Sequence, residues 1–457
     1  MRQKTFTPFK VKEEKYSEDS LTIKKVFILL FMLLLVSPLW AQDLTTTAVP
    51  KFQELRVGLE FRPRTEFRDG YKDLRTDTSN PAFLTSQRSR LNITYDRPGF
   101  IFHTSIQDIR IWGEQNPRST NGTIQILEAF VEPVLAKNLS VRIGRQRILY
   151  DNQRLFAENN WRQSSRAHDA VRFMYYTPQL QTDLIGAFNQ SSDRTFETDY
   201  APVGFTNYKV LMVHFLKYKL SDQLILTTIN ASDGYQDAGN VHKTHYRFTS
   251  GGRIEYVRNK LYLTVAGYYQ YGKNASRQKI SAYYYQPEIK YNPVKPLTFR
   301  LGAEVLSGDN GSKANQTFNS FVPLYGANHR FMGSMDYFTS IPGSLNNAGL
   351  VDFYLFTYYT VRKKITLRAD FHSFHSQNNF VDAGKLINKY LGFENDLLLI
   401  YQANKATQIQ MGFSYALPTN SLEIIKKKGN SALFQTWGFL MLTFKPELLM
   451  IKKEIAD

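Results

Sequence analysis

Seven arginines, Arg142, Arg145, Arg147, Arg154, Arg162, Arg166 and Arg172, fall within about thirty residues that hold few acids. A guanidinium suits carboxylates and phosphates, because its planar fork donates two parallel hydrogen bonds and stays charged at any physiological pH. Arginines at this density either tile a solvated surface or line a path for anions. Other chemistry is sparse. The chain has no cysteine, which removes disulfides, thiolate metal sites, a cysteine nucleophile and a lipoprotein anchor. His372 and His375 are three apart and face opposite sides of a strand, His242 and His245 sit at a loop edge, and no nucleophile motif accompanies them. No catalytic residue, metal site or cofactor is therefore expected. Asp309 and Asn310 lie in a Gly-Asp-Asn-Gly turn, but the spaced oxygen series of a calcium loop is missing.

The arginine-rich stretch is a loop between two strands. Leu139, Val141 and Ile143 alternate with Ser140, Arg142 and Gly144, and Val171, Phe173 and Tyr175 alternate with Arg172 and Met174, the period of a sheet with one apolar and one polar face. From Leu55 to Arg68 the separation is stronger, with Leu55, Val57, Leu59 and Phe61 on one face and Arg56, Glu60, Arg62, Arg64 and Glu66 on the other. Comparable segments recur to a total of eighteen, the last ending at Phe444. Very short connections (Arg97-Pro98, Lys137-Asn138, Thr177-Pro178, the turn at Asn259, Val361-Arg362) alternate with long polar loops. This predicts an all-β fold: a transmembrane antiparallel up-and-down β-barrel of about 18 strands, with short periplasmic turns and long extracellular loops. A closed sheet can cross lipid because it leaves no backbone group unpaired. Pro63 lacks a donor and calls for a bulge or an offset first strand.

Composition agrees. No linker divides the 457 residues after the first fifty, Tyr (28) and Phe (33) far outnumber Trp (4), and a mean hydropathy of −0.37 rules out a bundle of membrane helices. The net charge of +17 would suit nucleic acid or anionic ligands. The N-terminus decides between them: Lys24 and Lys25 precede an apolar run, Val26 to Trp40, followed by Ala41, the pattern of a secretory signal. Export excludes nucleic acid and points to the outer membrane of a Gram-negative bacterium, with its lipid as a partner. The expected organisation is a signal peptide at 1–41, a periplasmic segment at 42–54, the barrel at 55–444 and a tail at 445–457.

On the inward faces Arg56, Arg62, Arg64, Arg68, Arg88, Arg90, Arg142, Arg172, Arg247, Arg253, Arg300, Arg368 and Lys290 stand against Glu60, Glu66, Glu128, Glu132, Glu255, Glu288, Glu304 and Asp370, a positive excess of five. These charges either set selectivity or pair across strands and brace the wall. The expected substrate path takes in Arg62, Arg64, Arg88, Arg90, Arg142, Arg145, Arg166, Arg172, Arg253, Arg300 and Arg368. The loop from Ser307 to Asn347 is the expected gate, with Tyr325, His329, Arg330 and Asp336 able to stack on and hydrogen-bond to sugar.

The runs RIGRQRILYDNQRLF and WRQSSRAHDAVR, with FVPLYGANHRFMGSMDYF at 321–338, resemble the alginate-export family of outer-membrane porins from about residue 50 to 444. The resemblance implies an eighteen-stranded barrel with an electropositive conduit for an anionic polysaccharide or related anionic solutes. Its family-like positions here are Arg142, Arg145, Gln146, Asp151, Arg154, Trp161, Arg166, Asp169 and Arg172, while His168 departs from the aromatic residue expected there. The expected function is passive passage of anionic or polar saccharide-like solutes. A surface-binding barrel or a membrane-embedded enzyme with a plugged lumen is the alternative.

Overall fold

A computed structural model of the protein describes residues 52–118, 123–201, 207–312 and 317–454. The chain divides into two units, Met1–Val49 and Pro50–Asp457, and every described residue belongs to the second. The expected signal peptide at 1–41 lies outside the described residues.

Each alternating segment becomes a pleated strand whose two faces meet different surroundings. The first nine strands are β1 (Phe52–Asp69), β2 (Ala82–Arg97), β3 (Phe100–Ile111), β4 (Gln125–Ala136), β5 (Leu139–Gln146), β6 (His168–Tyr176), β7 (Leu180–Phe188), β8 (Val210–Lys219) and β9 (Leu224–Asp237). They are followed by β10 (Asn240–Arg258), β11 (Leu261–Lys273), β12 (Lys279–Tyr291), β13 (Leu297–Leu306), β14 (Thr317–Phe318), β15 (Leu350–Arg362), β16 (Ile365–Ser376), β17 (Phe380–Asp382) and β18 (Lys385–Ile387). The chain ends with β19 (Tyr390–Gln402), β20 (Thr407–Pro418), helix α1 (Asn420–Lys426), β21 (Gln435–Phe444) and β22 (Glu447–Glu454). Antiparallel pairing of neighbours closes a barrel of 18 strands. Among the described residues, only the two-residue β14 and the β17–β18 hairpin stand outside that ring.

Closure occurs at β1, which pairs with β21 over Phe61–Asp69 and with β22 over Phe52–Gly58. The barrel thus begins at Phe52, three residues before the expected boundary. Within the expected tail, Glu447–Glu454 pairs with β1 and continues the last strand past Lys445-Pro446. Pro63 is accommodated at this seam. Its ladder to β2 runs unbroken from Glu54 to Arg68, while the ladder to β21 skips from Phe61↔Phe444 to Arg64↔Met441.

The faces separate by chemistry. Glu60, Arg62, Arg64 and Glu66 of β1 are buried inside, whereas Phe83, Ile143, Leu301 and Phe353 are exposed outside, where lipid solvates them. At the short-turn rim Tyr175, Tyr218, Tyr291, Tyr359 and Tyr401 form an outward aromatic belt. The alternation places β9 and β10 near 222–232 and 244–257 with a long loop between them; in the structure they run beyond those ends and leave only residues 238–239 between them.

Candidate functional site: two loops folded into the barrel

The loop between β5 and β6, residues 147–167, carries the apolar group Ile148, Leu155, Phe156 and Ala157, all buried. This group packs on an apolar part of the inner wall that includes Ile185, Leu211, Phe215 and Ile229, and against the loop between β13 and β15, residues 307–349, whose Phe321, Tyr325, Met332, Met335 and Phe338 are buried in the same cluster. Backbone bonds zip the two together: the Tyr325 N–H donates to Leu155 O (2.8 Å), Ala157 N–H to Tyr325 O (3.1 Å) and Ala327 N–H to Gln153 O (3.2 Å). Trp161 stacks on His329 with ring centroids 4.3 Å apart.

Carbonyls of a loop turned into a confined lumen need donors, and the wall arginines supply them. Arg62 donates to Asn160 O (2.9 Å) and to Gln163 Oε1. Arg64 donates to Trp161 O (2.8 Å) with its guanidinium over the Trp161 ring at 4.0 Å. Arg88, fully buried, bonds Glu60, Asn160 Oδ1 (2.9 Å), Gln163 O (3.2 Å) and Ser165 Oγ (3.2 Å). Arg90 donates to Gln107 Oε1 and Ser165 Oγ. One arginine satisfies several acceptors because its five N–H groups lie in a fixed fork.

The remaining wall arginines are answered by acids. Arg142 pairs with Glu132 (2.6 Å), Arg172 with Asp183 (2.6 Å), Arg253 with Glu255 (2.9 Å), Arg300 with Glu288 (2.6 Å), and Arg368 with Asp370. Six further inward acids, Asp183, Asp233, Asp237, Asp352, Glu394 and Asp396, are buried. With them the wall acids number fourteen against the thirteen cations, so no positive excess is left. Asp233 and Asp237 lie on the extension of β9 beyond the segment that its alternation marks, and Glu394 and Asp396 precede the apolar run Leu397–Ile400, which blurs the alternation of β19.

Arg145 is not in the lumen. It lies opposite Asp169 in the β5–β6 register and pairs with it at 2.9 Å, on the outward face that carries Ile143 and Val171. Residues three apart on a strand point to opposite faces, so Arg142 and Arg145 cannot both point inward. Arg166 sits on the inner loop rather than the wall, and donates to Gly326 O at 3.4 Å. Burial, then repulsion from Arg162, lower its pKa to about 10.

In the 307–349 loop Tyr325 is fully buried and donates to Asp233 Oδ2 (3.1 Å). His329 bonds Asp336 Oδ1 (2.6 Å) and Tyr71 donates to Asp336 Oδ2 (2.5 Å). Burial pushes the Asp336 carboxyl up, but His329 and Tyr71 outweigh it and hold it below its ordinary value. Asp309 accepts from the Asn319 N–H (2.7 Å), a structural role. Arg330 closes a short 3-10 turn and is solvent-exposed within the barrel. Although its surface is open to the lumen, partial desolvation by the surrounding barrel first, then repulsion from Arg300, Arg368 and Arg253, lower its pKa. Among the described residues, Arg162, Arg166 and Arg330 have no carboxylate within ion-pairing distance, and all three lie on the inner loops.

No curated protein matches the chain. Solved structures do match. OpdO of Pseudomonas aeruginosa is 11% identical with a TM-score of 0.59, over 86% of this chain and 98% of its own. OpdK of the same species, solved with vanillate, is 12% identical with a TM-score of 0.56, over 87% and 99%. A BenF-like porin from Pseudomonas fluorescens Pf-5 is 12% identical with a TM-score of 0.56, over 86% and 99%. These likenesses are of fold. The alginate export family model matches residues 53–422. With a closed barrel beneath that match, the chain belongs to the alginate export family and is an outer-membrane channel protein.

Proposed function

We propose that the protein conducts anionic polysaccharide or related anionic and polar solutes passively, and that the two inner loops, more than the wall, select them. The supporting observation is the placement of Arg162, Arg166 and Arg330, cations without an acid partner, on the loops that narrow the lumen. A solute at that level meets positive charge where low-dielectric walls focus the field, and a guanidinium fork fits a carboxylate. Arg253, Arg300 and Arg368, close enough to Arg330 to repel it, extend the track although each has an acid partner. Passive passage requires neither cofactor nor energy source, and residues 1–41 would direct export. The family's description and the vanillate in OpdK agree with this reading, since uronate polymers and vanillate both carry carboxylates. Uronate oligosaccharides added to the purified barrel in a planar bilayer should block its current. A conducting barrel indifferent to them would refute the carboxylate preference. The aromatic interior of the inner loops favours a second reading, a plugged surface-binding barrel, for which no current would be recorded.

A further inference from the structure

One part of the inner wall is untouched by that reading. β15, β16 and β19 lie side by side, with Asp370 opposite Asp396 and His372 opposite Glu394. Like charges facing one another across strands repel, and here they are buried: Asp352 and Glu394 are fully enclosed, and Asp370 and Asp396 nearly so. Arg368 answers Asp370 alone. Asp352 Oδ1, Glu394 Oε2 and Asp396 Oδ1 are buried without any hydrogen-bond partner. Buried carboxylates whose oxygens lack partners are balanced either by a shared proton or by a positive charge nearby.

The imidazole of His372 is set to help supply a site for one. Its Nδ1 lies 2.8 Å from Asp352 Oδ2, so Nδ1–H donates there and the Nε2 lone pair is left free. Among the described residues no hydrogen-bond donor or acceptor engages Nε2, which lies 3.9 Å from Asp396 Oδ2. A carboxylate behind a histidine whose other nitrogen faces further carboxylates is the arrangement that orients metal-binding histidines. The ligand atoms of Asp370, His372 and Asp396 all lie within 4.8 Å of one another. Bonds of about 2.1 Å hold ligand atoms roughly 3.3–4.2 Å apart, so a side-chain adjustment of about 1 Å closes the set.

We propose that Asp370, His372 and Asp396 bind a divalent transition-metal ion of the zinc class, with Asp352 positioning the imidazole. An imidazole among carboxylates favours such an ion over calcium or magnesium, which take oxygen ligands. The ion would also fasten the inner loop. The Ser334 N–H donates to Asp396 Oδ2 (3.1 Å) and the Met335 N–H to Glu394 Oε1 (2.8 Å). Gly333, at φ +76°, lets the backbone descend onto these carboxylates, because a Cβ there would come within 2.4 Å of Glu394 Oε1.

The test uses the untagged full-length barrel, stripped with a chelator and titrated with zinc chloride, with bound metal counted by elemental analysis. One zinc per chain is expected. His372→Gln and Asp396→Asn should each weaken binding at least tenfold, and Asp352→Asn about tenfold with the stoichiometry kept. Heat-modifiable electrophoretic mobility verifies that each variant forms the barrel. Zinc binding that is equally tight in the wild type and in a folded His372→Gln/Asp396→Asn double variant would overturn the site. Should the variants not fold, X-ray absorption of the zinc-loaded wild type decides: imidazole nitrogen with carboxylate oxygens supports it, and a shell without imidazole contradicts it. A protonated His372 bridging Asp352 and Asp396 in place of a metal would show as no zinc retained by the wild type.

Discussion

Replacing Arg88 with alanine tests whether the wall arginines are anchors for the inner loop. The substitution removes charged hydrogen bonds to Asn160, Gln163 and Ser165, and it strips Glu60 of its closest partner. Glu60 keeps Lys445 at 3.2 Å and Arg90 at 3.8 Å, which offsets part of its loss. Breaking a buried ion pair costs about 3–5 kcal/mol. The three lost loop bonds, at about 1 kcal/mol each, weaken docking of residues 147–167 by about 3 kcal/mol. That raises the undocked population on the order of 100-fold. Trypsin cleavage after Arg162 reads this population when reclosing is faster than cleavage. The folded Arg88→Ala barrel should therefore be nicked on the order of 100-fold faster than the wild type. A folded variant nicked within about twofold of the wild-type rate would refute the anchoring argument.

Arg330→Glu reverses a charge that has no acid partner. Two charge units acting at about 6 Å through water, screened at 0.1 M salt, amount to about 0.8 kcal/mol, so uronate block should weaken about fourfold. Arg145→Gln, on the outer face beside Asp169, should leave block and selectivity unchanged in the same recordings. Asp336 titrates below its unfolded value of about 3.9, so its contribution to loop docking is complete above that pH and is lost as the pH falls through the depressed folded value. Acid should therefore loosen the 307–349 loop, seen as faster proteolysis below about pH 4, and Asp336→Asn should show the same loosening at neutral pH.

The barrel was legible because lipid and lumen impose opposite demands on successive residues. β1 displays this as Leu55, Val57 and Leu59 against Glu60, Arg62 and Arg64, and short turns such as Lys137-Asn138 mark one rim. The seam was not legible, since Lys445-Pro446 ends the alternation although Glu447–Glu454 resumes the pairing. At the site, the sequence marked the right loop and the right arginines but could not assign their partners. Arg62 and Arg88 serve loop carbonyls 98 and 75 residues away in sequence, contacts that no local pattern encodes. The outward direction of Arg145 could have been read from its spacing to Arg142. The grouping of Asp370, His372 and Asp396 could not, because it depends on the register of β16 with β19.

The most direct test of loop selection is the reversal potential of the purified barrel in a planar bilayer under a salt gradient. It should be measured for the wild type and for Arg162→Gln/Arg166→Gln/Arg330→Gln. The account predicts an anion-selective wild type and a triple variant shifted towards cations with its conductance kept. A cation-selective wild type, or a triple variant with an unchanged reversal potential, would contradict it.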